Sequence, residues 1–148
     1  MSQRSFWRAE FSNFHIEPDG SFVEREFQAA KYDGHPIRQA IVRRTATPRK
    51  AKRLGRRWRL TEDELVAWND RRVDVMLSLV DKKVDDWPEY GLILIGSGDR
   101  RIVEINRHHD NFWGDCICGR KACEEPGQNW LGETWMLIRR RLREGHAS

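Results

Sequence analysis

The chain has little cysteine, proline or tyrosine: three, five and two residues in 148. Three cysteines cannot all pair within one chain, which argues against a disulfide scaffold and for a reducing, cytoplasmic setting. No stretch approaches the roughly 20 apolar residues of a membrane helix, so no membrane partner is expected. The opening "MSQRSFWRAEF" lacks the apolar run of a signal peptide. Repeats, low-complexity tracts and linkers are missing too, and the length suits one domain, 1–148. Acid is missing from one stretch in particular. Between Arg43 and Arg59 stand nine Lys or Arg and no Asp or Glu. A second basic cluster, Arg139, Arg140, Arg141 and Arg143, lies near the C-terminal end. Each run is either a solvated helix face or a phosphate contact, and spacing does not separate the two.

What is present is helical pattern. "TEDE" from Thr61 to Glu64 has the form of a capping box. Leu65, Trp68, Arg72, Val73, Met76, Leu79, Val80 and Lys83 follow at helical spacing, and Pro88 marks a stop. A helix is predicted over Glu24–Tyr32, closed by Gly34. Another begins at Pro36, and a third after Thr47 and Pro48, burying Ala51 and Leu54. The last starts near Asn129, a good capping residue, and buries Leu131, Trp135, Ile138 and Leu142. "GLILIGSGD" reads as a buried strand or a helix end, and "RIVEI" alternates like a strand. The expected fold is mainly α, a compact single-domain helical fold with at most a small β element.

Three groups of residues could carry chemistry. Glu24, Gln28 and Lys31 recur at helical spacing and share a face. They are either a surface ladder or a partly buried acid and amine with shifted pKa values. Trp68, four residues before Arg72, is either a core residue or a stacking platform for a nucleobase. The segment from Asp110 to Gly132 combines Asp110, Trp113 and Gly114 with Gly127, Asn129 and Gly132. Its glycines permit sharp turns or close approach of backbone to a ligand. Asn129 can cap a helix, or bind an anion together with the helix N-terminus.

Five blocks in order carry a resemblance: "FSNF" at Phe11–Phe14, "VEREFQAAK" at Val23–Lys31, "TPRKAKRLGR" at Thr47–Arg56, "WNDRRVDVMLSLVDKK" at Trp68–Lys83, and "DNFWGD…GQNWLGETWMLIR" at Asp110–Arg139. Together they resemble the YbiA-like family, also called the NADAR domain, whose fold is mainly helical. The resemblance implies an N-glycosidase that cleaves a ribose C1–N bond. Its leading expectation is an ADP-ribosylglycohydrolase that removes ADP-ribose from guanine bases in nucleic acid. Ribosylamino intermediates of riboflavin synthesis are the alternative substrate, and a non-catalytic module binding NAD or ADP-ribose is a further alternative. Carried over by position, Glu24, Lys31 and Asp110 are catalytic. Asn13, Phe14, Gln28, Trp68, Trp113, Gly114 and Asn129 are substrate-binding, Asn13 and Asn129 as supports. The stretch before "FSNF" is short, which implies an incomplete or differently built pocket wall.

Cleaving a C1–N bond builds positive charge on the ribose and negative charge on the leaving base. Asp110 or Glu24 would stabilise the first. A neutral lysine at position 31 could attack C1 of an opened ribose and form a Schiff base. No cofactor is required for this chemistry. Cys116, Cys118 and Cys123 lie in an insertion between Trp113 and Asn129. With His108 or His109 they could complete a structural Cys3His zinc site, although C-x-C is tighter than the usual ligand spacing. Free or buried thiols are the other reading.

Overall fold

The computed structural model describes residues 4–145, so the outermost residues of the expected 1–148 domain, and the first three of "MSQRSFWRAEF", lie outside the described residues. Six α-helices and two two-residue strands form among the described residues, and the mainly α expectation holds. No helix among them is long and apolar enough to cross a membrane. The chain divides into two units: Ala9–Leu79, and Val80 onward together with the residues up to Arg8.

In the first unit a 3-10 turn at Ala9–Phe11 leads into the "FSNF" loop and then α1 (Val23–Lys31). Phe22 offers no side-chain cap to α1, but Glu24 and Glu26 in its first turn complement the helix dipole. The chain leaves α1 through Gly34, whose φ of +85° is a left-handed conformation that a β-carbon disfavours. Next, α2 (Pro36–Arg43) opens with proline in its first turn. The Thr47 hydroxyl then caps α3 (Pro48–Leu54) by accepting from the Lys50 amide at 3.3 Å. Ala29, Tyr32 and Val42 form a buried cluster, and Leu54, Trp58 and Leu60 pack against it.

The capping box at the start of α4 (Glu62–Asp86) is reciprocal. The Glu64 amide donates to Thr61 Oγ1 at 3.2 Å, and the Thr61 amide donates to Glu64 Oε1 at 3.0 Å. Along this 25-residue helix Trp68, Met76, Val80, Lys83 and Val84 are buried. Leu65, expected on the same stripe, is exposed instead. The buried Lys83 lies over the rings of Tyr90, at 4.9 Å, and Trp135, at 5.6 Å.

In the second unit "GLILIG" belongs to a helix, α5 (Glu89–Gly96), which settles the choice against a strand. It buries Tyr90 and Leu94 but exposes Leu92 and Ile95, because a helix turns part of a continuous apolar run outward. "RIVEI" is strand only at its end. Strand β1 (Ile105–Asn106) pairs in parallel with β2 (Asp115–Cys116), Ile105 opposite Asp115 and Asn106 opposite Cys116. Ile102 and Val103 are both buried, so the expected alternation fails, and Ile102 makes a single bridge to Phe6. Helix α6 (Trp130–Arg143) buries Leu131, Trp135 and Ile138, with Leu142 half-buried.

The second basic cluster, open between a solvated face and a phosphate contact, is in part structural. Arg139 is buried and donates to Ser97 Oγ and to the Arg100 carbonyl, both at 2.8 Å. Arg143 pairs with Asp99 at 2.8 Å and also donates to the Gly98 carbonyl. Both therefore tie α6 to the loop after α5.

Candidate functional site

In the first unit, one face of α1 collects acid, amide and amine. Glu24 is buried, only 5% exposed, and Gln28 Nε2 donates to its Oε1 at 2.7 Å. The Lys31 amine, one turn on, donates to the Gly55 carbonyl at 2.6 Å, and the Tyr32 hydroxyl donates to the same carbonyl at 2.8 Å. A Cβ built on Gly55 would stand 1.9 Å from Gln28 Oε1. Gly55 is therefore where Gln28 and Lys31 meet, and its missing side chain makes the room. Helical spacing alone brought Glu24, Gln28 and Lys31 to one side, as expected. Gly55 escaped sequence reasoning, since a glycine after a basic helix reads as an ordinary terminator. Burial of the Lys31 amine, and then the positive charge of Arg56, hold its pKa below the ordinary lysine value.

The "FSNF" loop adjoins this face through backbone: the Glu24 amide donates to the Asn13 carbonyl at 3.1 Å. Asn13 Oδ1 is shielded from solvent yet accepts no hydrogen bond among the described residues. Buried acceptors are seldom left so. Phe14 is 40% exposed, with Lys52 of α3 over its ring at 5.6 Å. Trp68, by contrast, is a buried residue of α4 with Phe27 at 5.0 Å and the Arg71 guanidinium over its ring at 4.8 Å. That is the core reading of Trp68, whose ring is covered by neighbours. Of the basic run, Arg49, Lys50 and Arg53 on α3 and Arg56, Arg57 and Arg59 after it are exposed.

In the second unit the segment from Asn106 to Gly132 is held by side chains acting on backbone. Asp110 Oδ1 accepts from the amides of Phe112, at 3.1 Å, and Trp113, at 2.9 Å, closing a tight turn. The buried Asn106 clasps Asp110, donating to its carbonyl at 2.7 Å and accepting from its amide at 3.2 Å. Trp113 stands edge-on to Phe112 at 4.8 Å. The glycines serve close packing of backbone. A Cβ on Gly114 would lie 2.3 Å from the Glu104 carbonyl, and one on Gly132 would lie 2.2 Å from the Ile102 carbonyl.

Asn129 stands at the N-cap position of α6, as the sequence placed it, but its side chain does not cap the helix. Its own backbone is left-handed, with φ 57°, and its side chain makes no capping bond. Instead Oδ1 accepts from the Glu104 amide and Nδ2 donates to the Ile102 carbonyl, both at 2.9 Å. Asn129 is thus a buried strut between α6 and the segment before β1.

The three cysteines converge with one histidine, and it is His109 rather than His108. Nδ1 of His109 lies 3.9 Å from Cys116 Sγ, 3.6 Å from Cys118 Sγ and 3.5 Å from Cys123 Sγ. All four donor atoms fall within 4.8 Å of one another. For bonds of about 2.3 Å to sulfur and about 2.0–2.1 Å to nitrogen at tetrahedral angles, S···N separations come out near 3.6 Å. This Cys3His set can hold a metal ion. C-x-C spacing sufficed because β2 ends at Cys116, and the chain turns there to return Cys118 to the same point.

The chain is similar to several known proteins. The riboflavin biosynthesis protein PYRR, chloroplastic, of Zea mays is 32% identical over 124 residues, covering 79% of this chain and 19% of that protein. Protein irg-1 of Caenorhabditis elegans is 30% identical over 111 residues, covering 72% of this chain and 51% of its own. The chain thus spans about half or less of the curated relatives it matches. The NMR structure of the E. coli protein YbiA matches with a TM-score of 0.76 at 24% identity, covering 100% of this chain and 91% of that one, and shows the same fold. The profile of the NADAR domain runs from residue 5 to residue 143 and takes in every block from "FSNF" to α6. The chain belongs to the NADAR domain family.

Proposed function

We propose that this protein is an N-glycosidase that cleaves a ribose C1–N bond, and that its substrate is ADP-ribose attached to a guanine base of nucleic acid. The observation that carries the reading is the face of α1. There a buried carboxylate, Glu24, and a half-buried amine, Lys31, converge around Gln28 and Gly55. Surface ladders do not bury their acid, and a lysine with a lowered pKa is suited to attack carbon.

The reaction then runs as follows. The ribose ring opens, and the neutral Lys31 amine bonds to C1. The C1–N electron pair leaves with the base nitrogen, which takes a proton, and an imine joins Lys31 to the sugar. Water adds to C1, and the imine breaks to return free ADP-ribose and the amine. Glu24 stabilises positive charge at C1 and then activates the water. Gln28 holds the Glu24 carboxylate in place. Asn13 Oδ1 is available to a hydroxyl or a base N–H of the substrate, and the exposed ring of Phe14 is available for stacking. The cations of α3 suit a diphosphate or a nucleic-acid backbone. The family resemblance assigns Asp110 and Trp113 to substrate as well, and Asp110→Asn tests the catalytic share of that assignment.

One observation favours a second reading. The maize relative is named for riboflavin biosynthesis, which makes a ribosylamino intermediate of that synthesis the alternative substrate. We also propose that the metal of the Cys3His set is zinc, in a structural role, because three thiolates and an imidazole suit a soft, tetrahedral ion.

Parallel incubation with ADP-ribosylated guanosine and with the ribosylamino intermediate tests the assignment. Release of ADP-ribose from the first supports it. Turnover of the second alone supports the riboflavin reading. Turnover of neither, in folded protein, leaves a binding module.

A further inference from the structure

Resting on the zinc reading above, we infer that the metal clamps the Asp110–Trp113 turn, with Asn111 as the residue that couples the two. His109, the histidine of the ligand set, directly precedes Asp110 in the chain. It holds a left-handed backbone at φ 68°, which a residue with a β-carbon adopts only when its surroundings require it, and here the imidazole is aimed at three sulfurs. Asn111 follows Asp110. Its Nδ2 donates to Cys123 Sγ at 3.3 Å, and its Oδ1 accepts from the Cys116 amide at 2.9 Å. Its carbonyl accepts from the Gln128 amide at 2.8 Å, on the approach to α6. The Arg120 amide donates to Cys118 Sγ at 3.4 Å. Donors aimed at sulfur from outside the ligand set match the outer shell of a metal–thiolate site, where thiolate charge is spread into N–H groups.

Metal binding would draw one proton from each of the three thiols and leave the imidazole neutral. The ion then ties residues 109, 116, 118 and 123 to one point. The Asp110–Trp113 turn lies between the first two of them, so holding both at one point restricts its opening. Without the ion, the turn keeps Asn106, its own hydrogen bonds and those that the Gln128, Trp130 and Leu131 amides donate to the Asn111, Phe112 and Trp113 carbonyls.

The test uses the full chain and zinc itself. Metal content is measured after purification without chelator and again after reloading with zinc. Cobalt substitution adds a thiolate-to-metal charge-transfer band if sulfur binds. Amide exchange is then compared between zinc-loaded and chelated protein. The expected results are about one zinc per chain, a thiolate band with cobalt, and faster exchange across residues 109–118 after chelation, with α1 and α2 unchanged. Asn111→Ala should weaken zinc against a competing chelator by about 10–100-fold while still binding one ion at saturation. One zinc bound with no change in exchange at residues 109–118 would overturn the clamp and leave the zinc reading standing. Protein that takes up no zinc and shows no thiolate band with cobalt would overturn the zinc reading and the clamp with it. Neither outcome bears on the N-glycosidase assignment, which rests on α1.

Discussion

Gln28 Oε1 occupies the space that a side chain on residue 55 would fill, 1.9 Å from where its Cβ would stand. The obstacle is the tip of a flexible side chain, so Gly55→Ala is sterically cheap. It is costly in another way: Gln28 must swing off Glu24 and give up the 2.7 Å hydrogen bond. We expect a stability loss of about 0.5–1.5 kcal/mol, one hydrogen bond, with a larger fractional fall in turnover than that loss explains. Urea unfolding beside a kcat measurement checks it, and unchanged turnover would remove Gln28 from the positioning of Glu24.

Lys31→Met separates function from fold. The substitution removes a half-buried charge, so the thermal midpoint should hold or rise, while turnover falls by about 100-fold or more. Thermal unfolding and steady-state kinetics on one preparation decide the matter. A large drop in thermal midpoint with a proportionate loss of activity would make Lys31 a structural residue.

The pH dependence of turnover has a definite sign. Burial first, and Arg56 second, disfavour protonated Lys31, so its pKa in the folded protein lies below the ordinary 10.5. The neutral amine accumulates as pH rises, and turnover should rise with it through a pKa below that value. The same depression means that protonated Lys31 costs stability at low pH, a cost that eases as pH rises toward 10.5. Arg56→Gln removes one source of repulsion, raises the Lys31 pKa and moves the rising limb to higher pH. A limb that stays in place in this variant would separate the titrating group from Lys31.

Much of this was legible in the sequence because the signals were local. The Thr61–Glu64 capping box, Pro36 and Pro48 at helix starts, and the seven-residue spacing of Glu24 and Lys31 all lie within two turns of helix. What was hidden depends on distant neighbours. Asn129 has the residue type of a cap, but the Glu104 amide and the Ile102 carbonyl claim its side chain. Gly55 matters because of Gln28, 27 residues earlier in the chain. "RIVEI" alternates, yet only its last residue, Ile105, lies in a strand, Ile102 makes an isolated bridge to Phe6, and Ile102 and Val103 are both buried. Arg139 looked like its exposed neighbours Arg140 and Arg141 until its place among carbonyls was visible.

The start of α4 predicts an acid response. The Thr61 amide first, and His35 second, hold the Glu64 carboxyl down at about 2, against an ordinary 4.5. Its stabilisation is therefore complete above pH 4.5 and is lost as pH falls toward about 2. Glu64→Gln should flatten this part of the stability profile, and Thr61→Ala should cost about 1 kcal/mol. Urea midpoints measured across this range check both.

Basic side chains on α3 predict a salt response. Each phosphate contact contributes a slope of about −0.9 in log K against log salt on duplex DNA, or about −0.7 on a single strand. Neutralising Arg49, Lys50 and Arg53 together should flatten the slope for a modified oligonucleotide and leave turnover of the ADP-ribosylated nucleoside nearly intact. Equal loss on both substrates would mean that these side chains bind the diphosphate or support the fold. No loss on either would make them a solvated face.

The most direct measurement of the central claim is the identity of the products formed from ADP-ribosylated guanosine, read by mass spectrometry for wild-type protein and for Glu24→Gln. The account predicts free ADP-ribose and unmodified guanosine in equal amounts from the wild type, and little of either from a folded Glu24→Gln. Intact substrate with the wild type, or products cut at the diphosphate instead of at C1–N, would contradict it.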